Sequence, residues 1–217
     1  MSTIALSMPI KSKAAAIKIT GSLGKPSKMP GLSYGISATL CKIGAALAKV
    51  KGSTCENCYA LKANYAYPSV KAAHEKRRAG IENPQWTDAM VYLIGNSGET
   101  FFRWHDSGDL QHLQHLINIV KIAEALPAVS FWLPTREKAI VNSYLRAFGA
   151  FPSNLVVRVS AAMVDSAAPA GYDHTSTVHN AAAPIGFACP ASKQGNKCLD
   201  CRACWNRDIK NVSYRQH

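Results

Sequence analysis

Closely and regularly spaced thiols are the first residues in this chain whose types could do chemistry. Cys189, Cys198, Cys201 and Cys204 fall in the run C-P-A-S-K-Q-G-N-K-C-L-D-C-R-A-C-W, and the last three form C-x-x-C-x-x-C. Thiolates at this spacing can converge on one metal centre from a single tight loop. Close C-x-x-C repeats with one outlying cysteine are the pattern that holds iron–sulfur clusters. Four sulfurs also suit tetrahedral zinc, although zinc ligands usually come as two separated pairs and these come as one plus three. The spacing therefore predicts a [4Fe–4S] cluster, with zinc as the alternative.

A second group precedes it: Cys41, then Cys55-Glu-Asn-Cys58-Tyr-Ala. The pair reads as a turn entering a helix at Tyr59, where a helix N-terminus favours thiolate over thiol. Spacing leaves four readings open for this trio: a metal of its own, a ligand for the C-terminal centre, a redox dithiol, or a buried pair of small hydrophobes. The C-x3-C-x2-C run of radical S-adenosylmethionine enzymes does not occur in the chain.

Between the two groups lies a set of polar residues at predicted strand ends. One strand ends Arg103-Trp104-His105-Asp106-Ser107-Gly108-Asp109, the next Pro134-Thr135-Arg136, and a third carries Arg158 and Ser160. Alternation sends Arg103 and His105 to the same side. Arg103, His105, Asp106, Asp109 and Arg136 are thus the candidate catalytic set, able to bind a zwitterion or move a proton. Structural readings stand beside these. Asp109 suits a helix N-cap, His112 and His115 suit a solvated face, and Trp104 and Trp132 suit a core. Lys76, Arg77 and Arg78 read as a solvated basic face.

The elements that must position these residues follow from pattern. Ala16 to Thr20 reads as a short strand, and Leu32 to Leu40 as a strand delivering Cys41. Helices are predicted at Ser69–Ala79 and at Pro84–Leu93. Thr100–His105, a helix from Leu110 to Leu126, Ser130–Leu133, a helix from Arg136 to Phe148 and Asn154–Ser160 then alternate as β-α-β-α-β. Such alternation predicts an α/β fold with parallel strands, a partial (β/α) barrel, in which ligands bind at the C-terminal strand ends. The 217 residues suit a single domain. It divides into a basic N-terminal segment (1–32), a β/α core (33–160), a loop (161–186) and a Cys-rich metal-binding segment (187–217).

Composition limits the function classes. Apolar residues make up 47%, which indicates a globular chain rather than a disordered one. No apolar run approaches ~18 residues, so no membrane span is expected, and no secretory leader is evident. Seven cysteines in two tight groups fit reduced thiols in a cytosol rather than a disulfide scaffold. The formal charge is +12, and residues 1–55 hold eight lysines and no Asp or Glu. A field of that sign gathers anions, including nucleic acid, nucleotides or an acidic partner protein.

Taken in order, Cys41…Cys55-x-x-Cys58-Tyr-Ala, F-R-W-H-D-S-G-D-L, F-W-L-P-T-R and the terminal C-P…K-C-x-x-C-R-x-C-W resemble the bacteriophage gene-product-88-like family over roughly residues 33–205. The resemblance implies a phage protein acting in the host cytoplasm. It also implies an iron–sulfur partial barrel distantly similar to radical S-adenosylmethionine enzymes, in which Asp106-Ser107-Gly108-Asp109 sits where such enzymes hold the cofactor's amino group. Three functional expectations follow. The first is a [4Fe–4S] protein performing electron transfer or redox chemistry on an unidentified small molecule or with a redox partner. The second is a zinc-stabilised basic module binding nucleic acid or an acidic host protein through the N-terminal region. The third is a radical S-adenosylmethionine-like enzyme with that cofactor bound.

Overall fold

A computed structural model describes residues 9–216. Its centre is one sheet of seven parallel strands: β1 (Leu32–Tyr34), β2 (Phe101–Trp104), β3 (Ser130–Thr135), β4 (Leu155–Ser160), β5 (Thr175–His179), β6 (Phe187–Ala188) and β7 (Asn211–Arg215). They lie in the order β1-β2-β3-β4-β5-β7-β6. The expected α/β class and parallel strands are present. The sheet is open, with β1 and β6 as its two edges, so the ring of strands that a barrel requires is not completed by these ladders.

Helices cover one half of the sheet. They are α1 (Lys13–Thr20), α2 (Lys42–Leu47), α3 (Pro68–Ile81), α4 (Trp86–Gly95), α5 (Leu113–Ala125) and α6 (Lys138–Phe148). Alternation along β2 sends Phe102 and Trp104 into the helix-side core with Leu116, Ile119 and Tyr144. It sends Phe101 and Arg103 to the other face, where they meet Trp205 and Trp132. β4 is buried along its whole length, as expected for a parallel strand covered on both faces. The second cover is the Cys-rich segment: Ala203, Cys204 and Trp205 pack on Trp132 and Val212.

Several expectations are corrected. Ala16–Thr20 is part of helix α1, capped by the Ser12 side chain on the Ala15 N–H, not a strand. The strand expected over Leu32–Leu40 stops at Tyr34, and a 3-10 turn (Ala38–Leu40) brings Cys41 into place. Arg77 is buried instead of solvated, donating to the carbonyls of Ser22 and Gly35. The N-cap of α5 is His112, whose ring accepts from the His115 N–H, so Asp109 is free for another role. His115 is fully buried against Trp86, not solvated. The loop expected over 161–186 contains β5, and the segment after it contributes β6 and β7. Those strands escape pattern recognition because β5 and β7 are short and polar (T-S-T-V-H, N-V-S-Y-R) and β6 is only two residues long.

Arg158 on β4 ties the C-terminal segment down. Its guanidinium donates to the carbonyls of Ala203, Cys204, Asn206, Ile209, Lys210 and Thr175 at 2.9–3.4 Å. None of the ion pairs among the described residues includes it. A buried carbonyl left without a donor costs about 1–3 kcal/mol. Arg158→Met should therefore destabilise the protein by at least about 3 kcal/mol in chemical denaturation, with loss of protection in residues 203–210 by hydrogen exchange.

Asp165 (φ 57°) plays a smaller clamping role. Its carboxylate accepts from the backbone N–H groups of Asn180, Ala181 and Ala182, which hold its pKa below the ordinary carboxylate value. A depressed carboxyl contributes stability that is present above its unfolded pKa and is lost as pH falls through the folded one. Asp165→Asn should lower the melting temperature at pH 7, with the deficit shrinking as pH falls through and below the ordinary carboxylate range.

Candidate active site at the C-terminal strand ends

The C-terminal ends of β2 to β5 and β7 open into one chamber of about 570 Å³. All five residues of the expected catalytic set line it: Arg103, His105, Asp106, Asp109 and Arg136. So do Cys41, Cys55 and Cys58, together with Tyr59, Trp132, Ser160 and Tyr214. The sequence left the role of the trio open; the fold places it on the chamber wall.

The trio sits there because its segment is fastened at both ends. Thr54 N–H donates to Ala162 O and Val164 N–H to Gly52 O, which ties residues 52–54 to the turn after β4. On the other side, the Glu137 carboxylate accepts from Ile43 N–H and Lys42 Nζ donates to Gln111 O, which seats α2. Gly44 packs closely on the first of the thiols: a Cβ there would lie 3.0 Å from Cys41 Cβ and in ordinary contact with the Cys41 and Cys55 sulfurs. The helix expected after Cys58 is only a 3-10 turn, Tyr59–Leu61. Cys55 and Cys58 therefore do not open an α-helix; Cys41 is the N-cap residue of the six-residue α2. Burial pushes Cys41 up to about 12, assisted by Asp109 and the neighbouring cysteines and opposed by Arg136. Cys55 is raised by burial as well. Uptake of a metal by these thiols would release protons.

The polar set divides into positioning and available groups. Asp109 accepts from Thr135 Oγ1 (2.6 Å), Leu110 N–H (2.8 Å) and Arg136 N–H (2.9 Å). It therefore locks the end of β2 to the end of β3. Burial still lifts its pKa to about 6 against those three donors. The Arg136 side chain donates to Thr54 Oγ1 at 2.8 and 3.1 Å, which sets its charge beside Cys55. Arg103 lies over the Trp132 ring at 4.5 Å and donates to Tyr59 Oη at 3.4 Å, leaving its buried Nε without a partner. Trp132 is buried in the core as expected, and one face of its ring is also the floor under this arginine. Asp106 takes the Tyr65 hydroxyl on Oδ2, and its buried Oδ1 has no partner. Gly35 makes that position possible, since a Cβ there would meet Asp106 Oδ1 at 2.4 Å.

His105 is buried, has φ 56°, and neither ring nitrogen has a partner. Burial pushes its pKa down to about 4, with Asp106 opposing and Arg103 assisting. At neutral pH it is an uncharged imidazole, edge-on to His115 at 5.3 Å. The chamber wall thus carries two guanidinium groups that are in no ion pair among the described residues, with a carboxylate oxygen and a neutral imidazole buried in it without hydrogen-bond partners. Anionic or zwitterionic molecules fit that charge arrangement.

The four C-terminal cysteines border a separate recess of about 10 Å³, beside Trp205 and Val212. Cys198 N–H donates to Lys28 O and Cys189 N–H to Ser213 O, which draws both ends of the loop onto the body. Asn196 and Leu199 adopt the left-handed conformation (φ 60° and 45°), which lets the loop curl back. Burial pushes Cys204 up to about 12, opposed by a hydrogen bond with Tyr214. All seven cysteines are free. Among the described residues no three His, Cys, Asp or Glu side chains stand in the arrangement that holds a single metal ion.

Sequence reasoning missed Tyr59, Tyr65, Thr54 and Tyr214. Only tertiary placement makes them part of the site, and nothing in their local sequence marks them.

The family described as Gene product 88 matches residues 8–207. The chain belongs to that family, in agreement with the phage gene-product-88-like resemblance. The match brings no likeness to radical S-adenosylmethionine enzymes with it. No curated protein and no solved structure matches the chain. No helix among the described residues is long and apolar enough to cross a membrane.

Gly108 shapes the turn that carries the set. It has φ 80°, and a Cβ there would lie 2.4 Å from Ile36 Cγ1. Gly98 has a similar φ of 74° with nothing within 4 Å. Left-handed strain costs roughly 1–2 kcal/mol and overpacking typically about 1–3 kcal/mol more. Gly108→Ala should therefore destabilise by about 2–5 kcal/mol, and Gly98→Ala by only about 1–2 kcal/mol, in matched denaturation curves.

Proposed function

We propose that the protein is an iron–sulfur redox protein acting on a small anionic or zwitterionic molecule in the chamber. The observation that carries this reading is the shared wall. Three free thiols border one chamber of about 570 Å³ together with Arg103, Asp106 and Arg136. Four more thiols border a recess behind it. The donor set fits: soft thiolates select iron–sulfur clusters and zinc over harder metals. The C-terminal recess admits about one water-sized sphere, so Cys189, Cys198, Cys201 and Cys204 would have to spread apart to take a four-iron cluster. A bound cluster supplies one-electron chemistry. Arg103 and Arg136 draw an anionic group into the chamber, and Asp106 Oδ1 accepts a hydrogen bond from a cationic or hydroxyl group. His105, uncharged, can donate a hydrogen bond from one ring nitrogen and accept one on the other. Asp109 holds the strand ends in register.

A radical S-adenosylmethionine-like enzyme is the second reading, and a specific placement favours it. Three thiolates around a four-iron cube leave one iron without a protein ligand. The trio Cys41, Cys55 and Cys58 faces the chamber where a cofactor would meet that iron.

Anaerobically purified and reconstituted protein should contain iron and acid-labile sulfide in equal amounts, about four of each per cluster, with absorbance near ~400 nm. Replacing Cys41, Cys55 and Cys58 by alanine should remove one cluster's share, and replacing Cys198, Cys201 and Cys204 the other. A spectral change on adding S-adenosylmethionine that vanishes in the first variant would favour the second reading. Colourless protein carrying zinc and no sulfide would sink both and leave a zinc brace.

A further inference from the structure

The segment from α2 to the start of α3 borders the chamber and carries a charge pattern of its own. Residues 42–67 hold Lys42, Lys49, Lys51 and Lys62, one acid, Glu56, and no Asp or Arg. All four lysines are exposed, and none is in an ion pair among the described residues. The single carboxylate is used locally, accepting from Gly52 N–H at 2.8 Å. Interleaved with the lysines are Ile43, Val50, Tyr59, Leu61 and Tyr67, more than half of the large apolar or aromatic side chains that stand well exposed among the described residues. Tyr59 and Tyr67 are 52% and 57% exposed. A basic surface that only keeps a protein in solution has no use for exposed rings, whereas exposed apolar groups rimmed by charge mark an interaction site.

This strip is continuous with the chamber. Lys49, Tyr59 and Leu61 line the chamber together with Arg103, Arg136 and Arg215. Tyr59 is held at that border by its hydroxyl, which donates to Asp106 O at 2.7 Å. Cations beside rings suit an unpaired polynucleotide strand: its phosphates meet lysines and its bases stack on aromatic faces. A duplex fits less well. Its bases are already stacked, and the strip offers a major groove only the six-residue α2 and two 3-10 turns. With no Arg in the strip the usual fork to guanine is missing, so such binding is indifferent to sequence. An acidic protein segment would use the lysines and give the rings no base to stack on.

We propose that residues 42–67 form a binding strip for single-stranded nucleic acid at the mouth of the chamber, with the four lysines on its phosphates and Tyr59 and Tyr67 against its bases. The strip is distinct from the basic N-terminal segment. No metal centre takes part in it, so it stands apart from the iron–sulfur reading.

The test is fluorescence anisotropy of labelled oligo(dT) and oligo(U) between ~50 and ~200 mM salt, with the matching duplex and polyglutamate as competitors. Both strands should bind, and duplex and polyglutamate should compete poorly. The logarithm of the binding constant should fall against the logarithm of salt with a slope of about −3, roughly −0.7 for each of about four phosphates. Lys49→Gln with Lys51→Gln should flatten that slope by about 1.4, whereas Lys11→Gln with Lys13→Gln should leave it unchanged. Tyr67→Leu should weaken binding by about 5- to 150-fold, and Tyr67→Phe, which keeps the ring, should not. All the replaced side chains are exposed, so the variants should melt like the wild type. No binding at low salt, a preference for duplex or polyglutamate, unchanged binding in Tyr67→Leu, or a loss that follows Lys11 and Lys13 instead overturns the strip. Iron and sulfide measured on the same samples separate the two claims: strand binding by protein that holds neither leaves the strip standing while the iron–sulfur reading fails.

Discussion

A buried guanidinium with no carboxylate partner organises one whole side of this molecule. Moving a charge out of water is costly, and the cost is met only when every donor finds an acceptor. Arg158 meets it with six backbone carbonyls, five of them from residues 203 to 210. The requirement works in both directions. Because Arg158 must have those acceptors, the chain after Cys201 must wrap over β4 with its carbonyls turned inward. That wrapping sets Cys204 and Trp205 against the sheet and lays β7 beside β5. The recess and the chamber floor both follow from it.

The same economy of carboxylates distinguishes the chamber. Arg103 and Arg136 make their direct contacts with a ring face and hydroxyls, in no ion pair among the described residues, although the nearby Asp106 favours the charged form of Arg103. Stacking on an aromatic face and hydroxyl hydrogen bonds leave a cation's field largely intact, whereas an ion pair would cancel it. Asp109, whose carboxylate accepts from the Arg136 backbone N–H, is occupied by that group, by Thr135 and by the Leu110 N–H, and burial raises its pKa. The positive field of a chain with formal charge +12 is thereby retained at the place where a small anion would bind.

The β-α-β-α-β middle of the chain was legible because its helices carry apolar stripes and its strands are apolar runs. Ser130–Thr135 and Leu155–Ser160 fall close to their expected bounds. The candidate set Arg103, His105, Asp106, Asp109 and Arg136 was legible for the same reason, since residues just past parallel strands converge on one end of the sheet. Roles within that set were not legible. Asp109 looks like a cap from its position before Leu110, and only the approach of β3 turns it into a strand-end lock. Arg77 sits in a basic run that reads as solvated, yet the fold carries Ser22 and Gly35 to it from elsewhere. The polar strands β5 and β7 and the two-residue β6 gave no periodic signal, because their ladders are specified by neighbours and not by an amphipathic pattern.

The sequence by itself determined the α/β class, the family and the grouping of seven thiols into a trio and a foursome. These depend on residue type and short-range spacing, which the linear chain carries in full. The tertiary structure alone decided that the trio faces the chamber, that the foursome lies behind it, and that Tyr214 stands between them. Those facts join residues as far apart as Cys41 and Tyr214. Their juxtaposition is set by the sheet order, by anchors such as Thr54 on Ala162 and by the carbonyl shell of Arg158, and no local pattern encodes such long-range contacts.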